Sequence, residues 1–421
     1  MLNKIFNHIH KYVGQVDKKE FAVKIKVDRK RIREKSIHLL YYFLNNYEDY
    51  YFITIENVPY CLMPDAVEHL TDRKDEKITY RYDAICDNCD HKQECSGWAE
   101  FPFIDRKKMK PLKDIPKEIV IEITTKCNLN CKACAIDDSR TLDVNITTVK
   151  RIFNESKHLG IKAVRLTGGE PLLNKDLKTM LTCAEENNFY ILLNTNATGI
   201  NNSTLKLLEK TTDNVLISLQ GFNQKSDRIL TNSDADFNKK IVNIVKIKKA
   251  IPIVRIGTVI SKTLIDNCQQ YYNLLKSIGI YNWELYRPIV KNKDKEFKIS
   301  KAELIRVMRF LLTLKRKGMK VKIANPVPFC IGKNIDLSLA TLLGAIADDG
   351  HSRIIWDARG YFKPSYFINE NLGTIIKSAW SNPFLKKIQF LDYLPLICKK
   401  CYYLKWCKGG SRAITKIIKN D

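Results

Sequence analysis

The arrangement of apolar and polar residues changes its period along the chain and divides it into regions. Glu20 to Val27 alternates as a strand does, Arg31 to Asn46 has helical spacing, and Tyr51 to Val58 reads as a second strand. Pro102 to Lys117 contains three prolines and many lysines and reads as a connector. Beyond it, apolar strand-like runs alternate with helical stretches. The strands are Ile119 to Thr124, Ala163 to Leu166, Tyr190 to Asn194, Val215 to Leu219, Val254 to Ile260 and Trp283 to Arg287. Between them, Val149 to Leu159 is a helix ended by Gly160, and Asp176 to Asn187 is another. Repeated βα units predict parallel strands joined by right-handed crossovers. The expected core is α/β, a partial (β/α)6 TIM-type barrel, with its chemistry at the C-terminal ends of the strands.

Composition narrows the class. The 421 residues are 45% apolar and 28% charged, which suits a packed globular protein and excludes a wholly disordered one. No stretch approaches the ~18 apolar residues of a membrane span. The longest candidate, Leu337 to Ala347, is short enough to be a buried helix. Met1 to Val16 mixes Asn, Lys and His into its apolar residues and lacks a secretory h-region, so a cytoplasmic location and no membrane partner are expected. The net charge of +25 favours acidic partners such as nucleic acid, an acidic peptide or a flavodoxin-like electron donor. Lysine is nevertheless spread from end to end. Its densest clusters are Arg106 to Lys117 and the tail from Lys399 to Lys419.

Cysteine carries the most information. An odd count of 13 without an export signal argues against a disulfide framework and for metal ligation or catalysis. Cys127, Cys131 and Cys134 form C-x3-C-x2-C directly after the first barrel strand. Cys86, Cys89 and Cys95 form C-x2-C-x5-C, as do Cys398, Cys401 and Cys407. Cys61 and Cys330 each precede one of the latter triplets. Cys183 lies in a helical apolar pattern and reads as a small core residue, as does Cys268. A four-iron cluster normally takes four thiolates, so three at the strand end would leave one iron open for a substrate or cofactor. No histidine lies close enough in sequence to close a zinc site there.

Cys127-Asn-Leu-Asn-Cys131-Lys-Ala-Cys134 after one strand, with Leu166-Thr-Gly-Gly-Glu170-Pro171 after the next, resembles the radical S-adenosylmethionine (SAM) superfamily. The resemblance implies that Cys127, Cys131 and Cys134 hold a [4Fe–4S] cluster whose open iron binds SAM. It implies reductive cleavage of SAM to methionine and a 5′-deoxyadenosyl radical, which abstracts hydrogen from a substrate. Gly168, Gly169, Glu170 and Pro171 then form a cofactor-binding segment, with close backbone approach at the glycines and the Glu170 carboxylate accepting from the methionine ammonium. Leu193-Asn194-Thr195-Asn196 and Ile217-Ser218-Leu219-Gln220-Gly221 resemble further family segments, the second with Gln220 where the family has Asp. Ser226-Asp227-Arg228 resembles the turn that follows. By that likeness Ser218 and Arg228 are candidates for the SAM carboxylate, and Asn194 and Asn196 lie near the same cofactor.

The C-terminal third resembles the SPASM/Twitch auxiliary domain of radical SAM enzymes, through Cys330, a hairpin from Arg353 to Tyr366, Asn371 to Ile375, Ala379 to Leu385, and Cys398-x2-Cys401-x5-Cys407. Ser365 and Ser411 stand where the full seven-cysteine pattern has ligands. Four cysteines remain, enough for one cluster at most; a zinc site is the alternative. The chain also repeats itself. Val58-Pro59-Tyr60-Cys61 parallels Val327-Pro328-Phe329-Cys330, and each is followed by C-x2-C-x5-C-x-Gly. Cys61, Cys86, Cys89 and Cys95 are therefore expected to hold a second auxiliary cluster, or zinc.

The expected organisation is an N-terminal cysteine-rich auxiliary module (1–105), a basic linker (106–118), a radical SAM core barrel (119–325) and a SPASM/Twitch-like domain (326–421). Both auxiliary domains are expected to be small α+β units. The resemblance implies an oxidoreductase or maturase acting on a peptide or protein, fed by a flavodoxin- or ferredoxin-type donor. The alternatives are a small-molecule or RNA substrate and, in another class, a zinc or iron–sulfur nucleic-acid-binding protein without catalysis. The second class gives the Gly-Gly-Glu-Pro segment no task.

Overall fold

The computed structural model describes residues 2–19, 21–48, 51–71, 82–95, 97–98, 101–136, 141–288, 294–331, 336–343 and 350–411. The chain forms two compact units, Met1–Asp114 and Ile115–Asp421, and the division falls inside the basic proline-containing segment.

In the first unit the helix Leu2–Tyr12 leads into β1 (Gly14–Lys19), which pairs antiparallel with β2 (Ala22–Val27). The helix Glu34–Tyr47 then carries the chain to β3 (Phe52–Glu56), parallel to β2, and the short β4 (Leu70–Thr71) completes the sheet in the order β1-β2-β3-β4. Ile25, Leu40, Phe43, Ile53 and Trp98 form its core. The first helix and β1 were not legible in the sequence, because their apolar positions are broken by Lys, His and Asp at the surface.

The second unit is built on a nine-stranded sheet. Seven parallel strands run in chain order: β5 (Glu118–Thr124), β6 (Ala163–Gly168), β7 (Tyr190–Thr195), β8 (Asn214–Ser218), β9 (Ile253–Val259), β10 (Asn282–Tyr286) and β11 (Lys320–Ile323). The sheet does not close. Its β5 edge is taken by β12 (Arg353–Asp357), which is parallel to β5, and β13 (Tyr361–Lys363) pairs antiparallel outside β12. The sequence placed six strands in the core and read Val321 to Ile323 as a strand ahead of Cys330; that strand, β11, is the seventh of the core, and the C-terminal hairpin continues the sheet. The period of two divides the faces. Ile119, Ile121, Ile123, Val164, Leu166, Leu193, Val215 and Ile256 pack under the helices.

Charged residues on the strands are paired. Arg165 donates to Glu118 at 2.6 Å and to Asn194 Oδ1 at 3.1 Å, and Arg255 donates to Glu284 at 2.7 Å. Burial raises the Glu118 carboxyl, but Arg165 and Arg353 outweigh it and hold the group at about 2. Lys363, 4% exposed, bridges Glu122 at 2.9 Å and Asp357 at 2.8 Å, tying the hairpin to β5.

The helix expected from Leu337 spans Leu337–Ala340, and residues 344–347 of that stretch lie outside the described residues, as do residues 412–419 of the basic tail. No helix among the described residues is long and apolar enough to cross a membrane.

Candidate active site

The cysteine triplet begins three residues after β5 ends and lies at the C-terminal rim of the sheet. The loop is fixed from two sides. Asn130 N–H donates to Thr231 O and Lys132 N–H to Leu230 O, each at 3.1 Å. Those carbonyls belong to the last turn of the helix Gln224–Thr231 and have no intrahelical partner of their own. Beneath that helix Asp227 meets Lys240, on the helix Phe237–Ala250, at 3.3 and 3.4 Å. Both side chains are almost fully buried.

On the other side the Gly-Gly-Glu segment is joined to the cysteine loop by its backbone. Gly169 N–H donates to Thr124 O, and Glu170 N–H donates to Lys126 O, both at 2.7 Å. A Cβ at Gly168, where φ is +137°, would fall 2.2 Å from Thr124 O, and one at Gly169 would fall 2.1 Å from Lys126 O. The close approach these glycines permit is therefore to the segment that immediately precedes Cys127.

Glu170 is 1% exposed, and its carboxylate gathers the next strand end. Thr195 Oγ1 and Leu172 N–H donate to its Oε1 at 2.7 and 3.2 Å, and Asn196 N–H donates to Oε2 at 2.6 Å. Burial pushes its carboxyl pKa up, against the pull of the Asn196 N–H. Three donors leave this carboxylate about one further lone-pair direction for an ammonium group. A glutamine there must turn its NH2 toward at least one N–H or O–H donor, which costs ~1–3 kcal/mol. Glu170→Gln is therefore expected to weaken SAM binding about tenfold or more, measured by calorimetry on the reconstituted protein. Unchanged affinity would remove Glu170 from the site.

Asn196 carries the connection back to the cysteines. Its Nδ2 donates to Asn128 Oδ1 at 2.8 Å and lies 3.9 Å from Cys127 Sγ, while Leu129 N–H donates to the same sulfur at 3.4 Å. Burial pushes the Cys131 thiol up to about 12, with the neighbouring Cys134 next in effect. Among the described residues, no three His, Cys, Asp or Glu side chains converge on a single metal ion. Three thiols on one loop, with N–H donors turned toward Cys127, are the donor set that would hold a cluster at this rim.

The remaining sequence candidates are dispersed. Pro171 is buried at the start of the turn Pro171–Leu173. Asn194 belongs to the Arg165 network and donates to Thr167 at 3.3 Å. Ser218 ends β8, half-buried. Arg228 pairs with Asp234 at 2.7 Å, 65% exposed. Gln220 donates nothing at the site; its Oε1 accepts from Val259 N–H at 3.0 Å. Lys240 was missed, although a signal existed: it shares an apolar helix face with Phe237, Ile244 and Ile247.

The C-terminal quartet forms a second thiol group. Cys330 and Cys401 add to the burial that raises the Cys398 and Cys407 thiols, and Phe329 N–H donates to Cys407 Sγ at 3.4 Å. Ser365 and Ser411 are buried. Ser365 Oγ accepts from Phe367 and Ile368 N–H, and Ser411 N–H donates to Pro326 O at 2.8 Å. Cys183 and Cys268 pack half-buried against the core, as expected.

The fold and the strand-end thiols define an α/β protein with its chemistry on the rim of a parallel sheet. Residues 121–283 match the family model of the radical SAM superfamily. The chain is 30% identical over 166 residues to a protein named "Probable GTP 3',8-cyclase" from Pyrococcus abyssi, covering 38% of this chain and 53% of that protein. It spans about half the length of the curated relatives it matches first. SuiB from Streptococcus suis, solved bound to the precursor peptide SuiA, superimposes with a TM-score of 0.59 at 19% identity, over 73% of this chain and 74% of that one. The structure of anSMEcpe with bound AdoMet and a Kp18Cys peptide gives 0.58 at 16% identity, over 70% and 89%. These likenesses show the fold.

Proposed function

We propose that the protein is a radical SAM enzyme that abstracts hydrogen from a peptide or protein substrate. The observation that carries the chemistry is the joining of three strand-end motifs at Cys127. Gly169 and Glu170 hold the backbone before it, Asn196 holds its sulfur, and Glu170 holds Asn196. Cys127, Cys131 and Cys134 would hold the cluster, and Gly168 to Pro171 with Asn196 would line the SAM site. When bound, the cluster supplies the electron that cleaves SAM reductively. The chain's own part is to fix the thiols, exclude water around Glu170 and keep the strand ends in register.

A peptide substrate is supported by SuiB and anSMEcpe, both solved with peptides bound on this fold. A small-molecule substrate is the second reading, supported by the likeness to a protein named as a GTP cyclase. The +25 net charge suits an acidic flavodoxin- or ferredoxin-type donor. Thirteen free cysteines suit the reducing cytoplasm.

Anaerobically reconstituted protein with dithionite and SAM is expected to release 5′-deoxyadenosine and methionine. No release would refute radical SAM chemistry. Peptide-sized and metabolite-sized fractions of the host should then be compared. The peptide fraction is expected to accelerate release, and protease pretreatment to abolish the effect. A protease-resistant effect of the metabolite fraction would favour the second reading.

A further inference from the structure

The N-terminal quartet lies in the first unit, outside residues 121–283. A small cleft, partly open to solvent, is lined by Cys61, Cys86, Cys89 and Cys95 with Tyr82 and Trp98. All four cysteines of the set border the same cleft. Lys92 and Lys110 also line it.

The local backbone shares a series of hydrogen bonds with that of the C-terminal quartet. Cys86 N–H donates to Asp83 O and Cys398 N–H to Pro395 O, both at 2.8 Å. Cys89 donates to Cys86 O at 3.1 Å, and Cys401 to Cys398 O at 2.9 Å. Lys92 donates to Cys89 O at 3.2 Å, and Leu404 to Cys401 O at 3.1 Å. Glu94 donates to His91 O and Trp406 to Tyr403 O, both at 3.2 Å. Each set closes on a left-handed glycine, Gly97 at φ +66° and Gly409 at φ +72°, whose N–H points back at the last cysteine sulfur. The isolated cysteine of each set sits in the same turn: Leu62 donates to Pro59 O and Ile331 to Pro328 O, both at 3.0 Å. Even the ring contact between the two halves recurs. Tyr60 meets His91 at 5.3 Å, and Phe329 meets Tyr403 at 6.2 Å.

We propose that Cys61, Cys86, Cys89 and Cys95 bind a second auxiliary [4Fe–4S] cluster in a duplicate of the C-terminal cluster fold. Zinc would draw four thiolates onto one ion at ~2.3 Å each. The hydrogen bonds and glycine turn shared with the C-terminal quartet favour the same cofactor at both sites. Four thiolates close a cubane, leaving no iron for SAM. The site therefore belongs to electron transfer or structure. It does not depend on the strand-end triplet or on the identity of the substrate.

The test uses the full chain, reconstituted anaerobically with ferrous iron and sulfide. A variant with Cys127, Cys131, Cys134, Cys330, Cys398, Cys401 and Cys407 all changed to Ala is expected to retain about four irons and four sulfides per chain, at this quartet alone. Dithionite should reduce them to an EPR-active state, and adding Cys86→Ala should remove them. Should the multiple variant fail to fold, Cys86→Ala/Cys89→Ala/Cys95→Ala in the otherwise natural chain is expected to lower iron by about four per chain. Either variant series showing zinc at about one per chain, with no iron assigned to this quartet, would overturn the proposal.

Discussion

Gly169→Ala is expected to eliminate SAM cleavage almost as completely as loss of a cluster cysteine. The added methyl would lie 2.1 Å from Lys126 O, 2.6 Å from Lys126 C and 2.8 Å from Thr125 O. All three atoms are backbone, so no side chain can swing aside. Relief requires the two strand ends to separate, which breaks the bonds from Gly169 N–H to Thr124 O and from Glu170 N–H to Lys126 O. Overpacking of this kind costs ~1–3 kcal/mol, a modest part of a domain's stability of ~5–15 kcal/mol, so the chain should still fold. The damage is local and positional. Lys126 is bonded covalently to Cys127, and a misplacement of about 1 Å near the chemistry can cost about 100-fold in rate. The expected result is a fall in 5′-deoxyadenosine formation of about 100-fold or more, with reduced iron at the strand-end site and an unchanged far-UV circular dichroism spectrum. Near-natural cleavage by this variant would show that the backbone join does not position the cluster loop.

Much of this arrangement could be read before the structure, because its signals are local. The βα alternation implied parallel strands, and the cysteine spacing set the triplet after the first of them. The parts that were not legible depend on contacts between distant segments. Nothing in the residues around Arg353 to Lys363 says that the hairpin will extend the core sheet; that follows from Lys363 reaching Glu122 across β12. The Glu170 carboxylate was expected to face the methionine ammonium. Its engagement with Thr195, Leu172 and Asn196 is a property of three strand ends in register. Arg228 matched a family turn, and its pairing with Asp234 at the surface was not legible in the sequence. The internal repeat was visible as cysteine spacing, but its depth became apparent only in the shared hydrogen bonds and the paired rings.

Lys240 gives the second large effect. Its ammonium and the Asp227 carboxylate are 1% and 3% exposed, and Asp227 Oδ1 also accepts from Gly221 N–H at 3.0 Å. Lys240→Met keeps the volume and removes the charge, stranding a carboxylate in the interior. Breaking a buried pair from one side costs ~3–5 kcal/mol. At ~2–4 °C per kcal/mol the melting temperature should fall by about 10 °C. The cysteine loop should loosen first. Asp227 begins the hydrogen-bonded turn whose Leu230 and Thr231 carbonyls hold Lys132 and Asn130, and its backbone carbonyl accepts from Thr231 Oγ1 at 2.7 Å. Iron at the strand-end site should therefore be lost at temperatures where the rest of the sheet is still folded. Adding Asp227→Asn removes the stranded charge and keeps an acceptor for Gly221, so the double variant should recover most of the melting temperature. It should not recover full SAM cleavage, because Lys240 also favours the thiolate of Cys131 and the carboxylate of Glu170 through space. Equal melting temperatures for the natural chain and Lys240→Met would show that the pair contributes nothing to the platform. Full cleavage by the double variant would confine Lys240 to a structural role.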